Sequence, residues 1–114
     1  NKLKAIPEEM VRMSKLKRLA LANNEIEQLP ANIGKLKSLK SIIVTNNRLK
    51  TLPESISILK ELESLYLSYN QIEKLPGSIY KMSHLRNLVL VGNPISAAEI
   101  SALKKALPNT NIVF

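Results

Sequence analysis

Cysteine is absent from the sequence, and so are tryptophan and aspartate. Without cysteine there is no disulfide and no zinc–thiolate site, although the compartment stays open, because secreted bacterial proteins often lack cysteine too. Aromatic residues are scarce, with three Tyr and one Phe. A core built under that restriction must be tiled from aliphatic side chains, since 45% of the residues are hydrophobic. No apolar run approaches the roughly 20 residues that a membrane-spanning helix needs. The opening Asn1-Lys2-Leu3-Lys4 has no apolar stretch behind its basic residues, so no signal peptide is read there. No Asn-x-Ser/Thr triplet occurs, and nothing points to N-glycosylation. Three glycines, at Gly34, Gly77 and Gly92, make no phosphate-binding loop, and no nucleophile stands with a base in a recognisable motif. No enzyme activity and no cofactor are expected. His84 is the sole histidine, and a solvated surface imidazole is the simplest expectation for it. A metal bridge between two molecules, using His84 with Glu61 and Glu63, is the alternative.

What the chain does have is a period. Prolines fall at Pro7, Pro30, Pro53 and Pro76, each 23 residues after the last. Asparagines fall at Asn1, Asn24, Asn47, Asn70 and Asn93 with the same 23-residue step. Four segments share one frame: Leu16 to Ile26 (LKRLALANNEI), Leu39 to Leu49 (LKSIIVTNNRL), Leu62 to Ile72 (LESLYLSYNQI) and Leu85 to Ile95 (LRNLVLVGNPI). A repeat at this spacing signals a stacked, quasi-linear architecture. Alternation such as Leu19-Ala20-Leu21 is a strand signal, with both leucines on one face and Ala20 on the other. The Asn lies where the chain leaves the strand, and its amide can donate to and accept from backbone groups that would otherwise be buried unpaired. The pairs Leu29-Pro30, Leu52-Pro53 and Leu75-Pro76 open a return leg, where proline presets φ for a short helical turn. Ile33 with Leu36, Ile56 with Leu59 and Ile79 with Met82 then recur at i, i+3 over about eight residues, which predicts 3₁₀ or turn structure rather than full helices.

These frames resemble the leucine-rich-repeat family, whose signature is L-x-x-L-x-L-x-x-N-x-L. The resemblance covers residues 1–95, one partial repeat followed by about four more. It implies an α/β solenoid: a right-handed superhelix with a parallel sheet on its concave side and short 3₁₀ segments on its convex side. After Asn93 the period breaks. Ser96-Ala97-Ala98-Glu99 reads as a capping box. The helix it opens carries Ile100, Leu103 and Leu107 on one face and stops before Pro108. A turn from Asn109 to Asn111 and a strand over Ile112-Val113-Phe114 complete residues 96–114, which are similar to the C-terminal cap of bacterial small-repeat proteins. That likeness implies a bacterial protein, secreted or surface-exposed, with the cytoplasm as the alternative. Secreted animal repeat proteins usually close their ends with disulfide-bonded caps, which this chain cannot do. At the other end Asn1 occupies the asparagine position of the frame, so the chain reads as part of a longer solenoid, or as a mature product of one. Leu3, Ile6 and Met10 are then expected to lie uncovered.

The frame separates residues committed to the fold from those free to act. Asn24, Asn47, Asn70 and Asn93 are assigned to a structural ladder. The solvent-facing strand positions form columns: Ala20, Ile43, Tyr66 and Val89; then Ala22, Thr45, Ser68 and Val91; then Asn23, Asn46, Tyr69 and Gly92, with Arg18, Ser41, Ser64 and Asn87 at the strand start. Ile43, Tyr66 and Val89 make an apolar stripe with Tyr69 beside it, the pattern of a partner-binding surface with an aromatic anchor. The competing explanation is that β-propensity alone selects such residues on strands. Candidate binding residues are therefore Arg18, Ala20, Ile43, Thr45, Asn46, Tyr66, Ser68, Tyr69, Val89 and Val91, with a protein ligand as the expected partner.

The net charge of +8 is also patterned. Arg12, Lys15, Lys17, Arg18, Lys35, Lys37, Lys40, Lys60, Lys81 and Arg86 fall between the return leg and the strand, along one edge, interrupted by Glu61 and Glu63. Solubility explains such an edge, and an anionic partner is the alternative. No aromatic column interleaves the basic residues, so a nucleic-acid platform is not expected. A homodimer through the N-terminal end, or assembly as a structural role, completes the set of readings.

Overall fold

Five parallel strands, each three residues long, are stacked in sequence order in the computed structural model, which describes residues 2–114. The strands are β1 (Arg18–Ala20), β2 (Ser41–Ile43), β3 (Ser64–Tyr66), β4 (Asn87–Val89) and β5 (Asn111–Val113). The register follows the 23-residue period through the first four, pairing Leu19 with Ile42, Ile42 with Leu65 and Leu65 with Leu88. Leu88 then pairs with Ile112, one residue off the period, where the cap replaces a repeat. Between strands the chain returns through 3₁₀ segments at Glu8–Arg12, Ile33–Lys35, Glu54–Ile58 and Gly77–Lys81. Pro7, Pro53 and Pro76 immediately precede three of these, as the preset φ of proline favours.

The core is a set of stacked aliphatic columns. Ile33, Ile56 and Ile79 are buried from the return legs, and Leu36, Leu59 and Met82 close the same layer. Ile42, Leu65 and Leu88 fill it from the strands. At the first repeat the columns are incomplete. Met13 is 52% exposed, whereas Leu36 and Leu59 at the equivalent positions are fully buried. Leu3 is exposed and Met10 half-buried, in line with expectation, but Ile6 is not uncovered: it is 6% exposed and belongs to the core. The asparagine position Asn1 lies outside the described residues.

The asparagine ladder has a direction. Each amide oxygen accepts a backbone N–H from the preceding repeat: Ile26 to Asn47, Leu49 to Asn70 and Ile72 to Asn93, all at 3.0 Å. Each Nδ2 donates to its own strand's carbonyl and to one in the repeat before, as Asn47 does to Val44 and Leu21, and Asn70 to Leu67 and Val44. These are backbone groups that the turn leaves without strand partners.

The cap helix α1 (Ala97–Ala106) starts at Ser96, whose hydroxyl accepts the Glu99 N–H at 3.1 Å. The expected capping box is only half formed. The Glu99 carboxylate accepts the Leu75 N–H at 3.2 Å and the Tyr80 hydroxyl, across to the preceding return leg. Burial first, and then this hydrogen bond and the charge of Glu99, push the Tyr80 phenol up to about 12. Leu103 and Leu107 are buried beneath α1, while Thr110 pins the following turn to the Leu85 carbonyl at 2.7 Å. The last strand begins at Asn111 rather than Ile112, and the Lys104 ammonium stands 4.3 Å from the ring centroid of Phe114.

Candidate functional site: the concave sheet face

Pairing of β1 to β4 in register sets Ala20, Ile43, Tyr66 and Val89 side by side, so the column read from the sequence is a physical row across the sheet. Their side chains point away from Leu19, Ile42, Leu65 and Leu88, by the alternation of a strand. Ala20 is exposed, and Ile43, Tyr66 and Val89 are half-buried by one another's neighbourhood. Successive rows lie about 4.8 Å apart, so this is a continuous apolar band.

The next column behaves less uniformly. Thr45 and Val91 are half-buried, but Ser68 between them is only 7% exposed. Its backbone carbonyl accepts the Asn46 N–H at 2.8 Å, within the continuing ladder. Ser68 therefore supports the face more than it presents a contact. Arg18 is exposed at the start of β1, and the Asn87 amide donates to the Ser64 hydroxyl at 3.2 Å two rows further on.

The third column holds the unusual backbone. Asn23, Asn46, Tyr69 and Gly92 all have positive φ, at 61°, 59°, 56° and 78°. Asparagine and glycine tolerate this region, whereas a bulky aromatic residue there is an outlier. Asn46 donates its side-chain amide to the Asn23 carboxamide oxygen at 2.9 Å. Tyr69 instead lays its ring against Gly92: a Cβ at that glycine would stand 2.4 Å from Tyr69 Cδ1. The residue is nevertheless 58% exposed. One part of it is seated on bare backbone and the rest faces solvent. Sequence reasoning placed Tyr69 and Gly92 in one column of this face but did not foresee that the ring of the first lies on the backbone of the second. The signal was present in the column itself, because Asn, Asn and Gly at equivalent positions point to positive φ.

Along the strand-entrance side, Lys17, Lys40, Glu63 and Arg86 follow one another in adjacent rows. Each hands a backbone carbonyl to the next residue's N–H: Lys40 to Lys17, Glu63 to Lys40 and Arg86 to Glu63, all at 2.8 Å. Lys17, Lys40 and Arg86 are exposed. The one ion pair among the described residues is elsewhere, Arg48 with Glu25 at 3.8 Å. His84 is not simply solvated. It is half-buried, with Nε2 3.1 Å from the Leu59 carbonyl, in a shallow depression shared with Lys60, Glu61 and Arg86. No cluster of three or more His or Glu that could hold a metal occurs among the described residues. Among those residues no helix is long and apolar enough to cross a membrane.

Stacked 23-residue turns, a continuous parallel sheet and an inward asparagine ladder define a repeat solenoid. The chain belongs to the leucine-rich-repeat family: the family profile described as leucine-rich repeat region matches residues 2–107. Among solved structures it is similar to a leucine-rich-repeat protein of Leptospira interrogans, at 38% identity and a TM-score of 0.96, over 100% of this chain and 29% of that one. It is also similar in fold to an internalin of Listeria monocytogenes, at 20% identity and a TM-score of 0.81, covering 96% of this chain and 31% of that one. The leucine-rich-repeat ectodomain of the receptor kinase SOBIR1 from Arabidopsis thaliana shares the fold at 24% identity and a TM-score of 0.75, over 99% of this chain and 65% of that one. The chain thus spans under a third of the length of the two bacterial proteins. No curated protein sequence matches it. The family's fold is a scaffold for protein–protein interaction rather than for catalysis.

Proposed function

We propose that this chain is a non-enzymatic binding module that docks a protein ligand on its concave sheet face. The observation that carries the reading is the apolar band Ile43, Tyr66 and Val89, open to solvent and flanked by the exposed ring of Tyr69. Buried aliphatic residues occupy the inward strand positions, so the stability of the fold does not require aromatic or large aliphatic residues on the outward ones. Interface anchors of this kind carry about 2 kcal/mol or more each. Affinity capture from native or host extracts, comparing the unaltered chain with Tyr66→Ala, is the test. A ligand recovered by the first and lost by the second supports the site, provided both melt alike. A ligand held equally by both docks elsewhere.

Self-association through the N-terminal end is a second reading, favoured by the exposure of Met13 at a position that is core in the later repeats. Among the described residues β1 has a strand neighbour on one side only, and such an edge takes a further strand, from a second copy or from repeats preceding it in a longer chain. Arg12, Lys15, Lys17 and Arg18 surround it and oppose a two-fold approach of like charges. Sedimentation equilibrium decides: a dimer that Met13→Lys dissociates supports the reading, and a strict monomer at high concentration removes it. Ile6 is unsuitable as the control because its burial makes any charge there a folding lesion.

A further inference from the structure

We infer that the partner of the concave face is an acidic protein segment carrying apolar side chains, bound across the rows between two unlike borders. The inference rests on the concave face being the docking site and adds the chemistry of what it takes. On one border stand the exposed cations Lys17, Lys40 and Arg86, in rows joined one to the next by backbone hydrogen bonds. None has a carboxylate within ion-pairing distance, and Glu63, the one acidic residue of the series, is half-buried. Arg18 adds a further exposed charge on the same side. Between that border and the Tyr69 ring, the face has no ionisable side chain other than Tyr66: its rows are Ala20, Ile43, Tyr66 and Val89, then Ala22, Thr45, Ser68 and Val91.

Lys40 lies just before β2 and three residues ahead of Ile43, about 10 Å at the rise of an extended chain. A single segment lying across the sheet therefore reaches both features at once. Its carboxylates meet the cations on one side, while its apolar side chains rest on Ile43, Tyr66 and Val89. The backbone of Tyr69 strengthens the case. An aromatic residue at φ 56° is costly to hold, and strain of that sort persists where the surrounding structure imposes it, often at ligand sites. Gly92 is the local condition for it, since any side chain there would collide with the ring. A polyanion without exposed apolar groups, such as a sulfated glycan or a nucleic-acid duplex with its bases stacked inside, would satisfy the cations but leave Ile43 and Val89 facing its charged surface. The aliphatic rows decide against it.

Poly(Glu,Tyr), a random copolymer, is a suitable probe, with poly-Glu of matched length and heparin as comparators, measured by biolayer interferometry on the full chain. The copolymer is expected to bind at least about tenfold more tightly than poly-Glu, a gap of about 1.4 kcal/mol. Lys40→Glu with Arg86→Glu should weaken it tenfold or more, and raising salt should weaken it further. Tyr69→Asn, which places in the third row the residue that the first two already carry, should lose a similar factor without lowering the melting temperature. Heparin or poly-Glu binding as tightly as the copolymer, indifferent to Tyr69→Asn, would overturn the inference in favour of simple polyanion attraction. No binding of the copolymer, or binding that ignores the charge reversals, also overturns it. The concave site itself still stands in those cases if a ligand captured from extracts is lost with Tyr66→Ala.

Discussion

Tyr69 and Gly92 occupy equivalent positions in successive repeats, and the ring of the first covers the backbone of the second closely enough to leave no room for a side chain there. Both have positive φ, yet they answer to opposite demands. Tyr69 endures the conformation to present an aromatic surface. Gly92 adopts it without strain and supplies the floor.

Gly92→Ala should therefore be harmful twice over, through strain at φ 78° and through collision with Tyr69. A loss of roughly 1–3 kcal/mol is expected in denaturant melts. Gly77→Ala is the contrast, since a Cβ there meets nothing within 4 Å and no positive φ is involved. It should be neutral or stabilise by about 0.4–1 kcal/mol, through a less flexible unfolded chain. Equal effects at the two glycines would show that the ring does not rest where the structure has it.

The ladder predicts a ranking at the centre of the stack. Leu65→Ala should cost about 2–5 kcal/mol, because the side chain is fully buried. Asn47→Ala should cost about 1–3 kcal/mol, leaving the buried Ile26 N–H without a partner and taking one of two amide donors from the Leu21 and Val44 carbonyls. Ser64→Ala should be near neutral, as its hydroxyl only accepts from Asn87 at the half-exposed strand start. Asn24→Ala should be milder than Asn47→Ala, because the Leu3 N–H that Asn24 receives is exposed rather than buried. Urea melts of the four variants check the order.

Alkaline pH should loosen the cap. Tyr80 is held protonated up to about 12 in the folded chain, against 10.0 when free. Its contribution is complete below pH 10, where both folded and unfolded states keep the proton. Between 10 and 12 the unfolded state has lost it while the folded state has not, so stability falls as pH rises. Melting temperatures across that range should decline less steeply in Tyr80→Phe. Phenolate absorbance should show one of the three tyrosines titrating late. Identical alkaline slopes for the two proteins would mean that neither burial nor Glu99 holds the proton on Tyr80.

Much of this architecture was legible in the order of residues, because a repeated core needs the same residue type at the same offset. Ile42, Leu65 and Leu88 declared the strands, and the isoleucine pairs of the return legs declared short 3₁₀ segments. What escaped was whatever depends on a neighbour from another repeat. The local pattern from Ser96 to Glu99 suggested a closed capping box, but the Glu99 carboxylate found a better-placed donor on Leu75, 24 residues earlier. Ser68 looked outward by alternation, yet it is buried, its backbone carbonyl holding the Asn46 N–H of the preceding row. His84 looked solvated for the same reason, and the Leu59 carbonyl of the previous turn holds it. Ile6 was read as uncovered because no polar cap was found over the partial repeat, whereas the structure places it within the core cluster.

The backward reach of the asparagine rungs makes the stack divisible into interchangeable units. Excising residues 47–69 would join Asn46 to Asn70, and Asn70 would then meet Ile26 N–H and Leu21 carbonyl in place of the Leu49 and Val44 groups it serves now. Every inward contact would find a counterpart of the same kind, and only one outward row, with Tyr66 and Tyr69, would vanish. In such a molecule the length of the reading surface and the letters written on it vary independently of the spine that carries them.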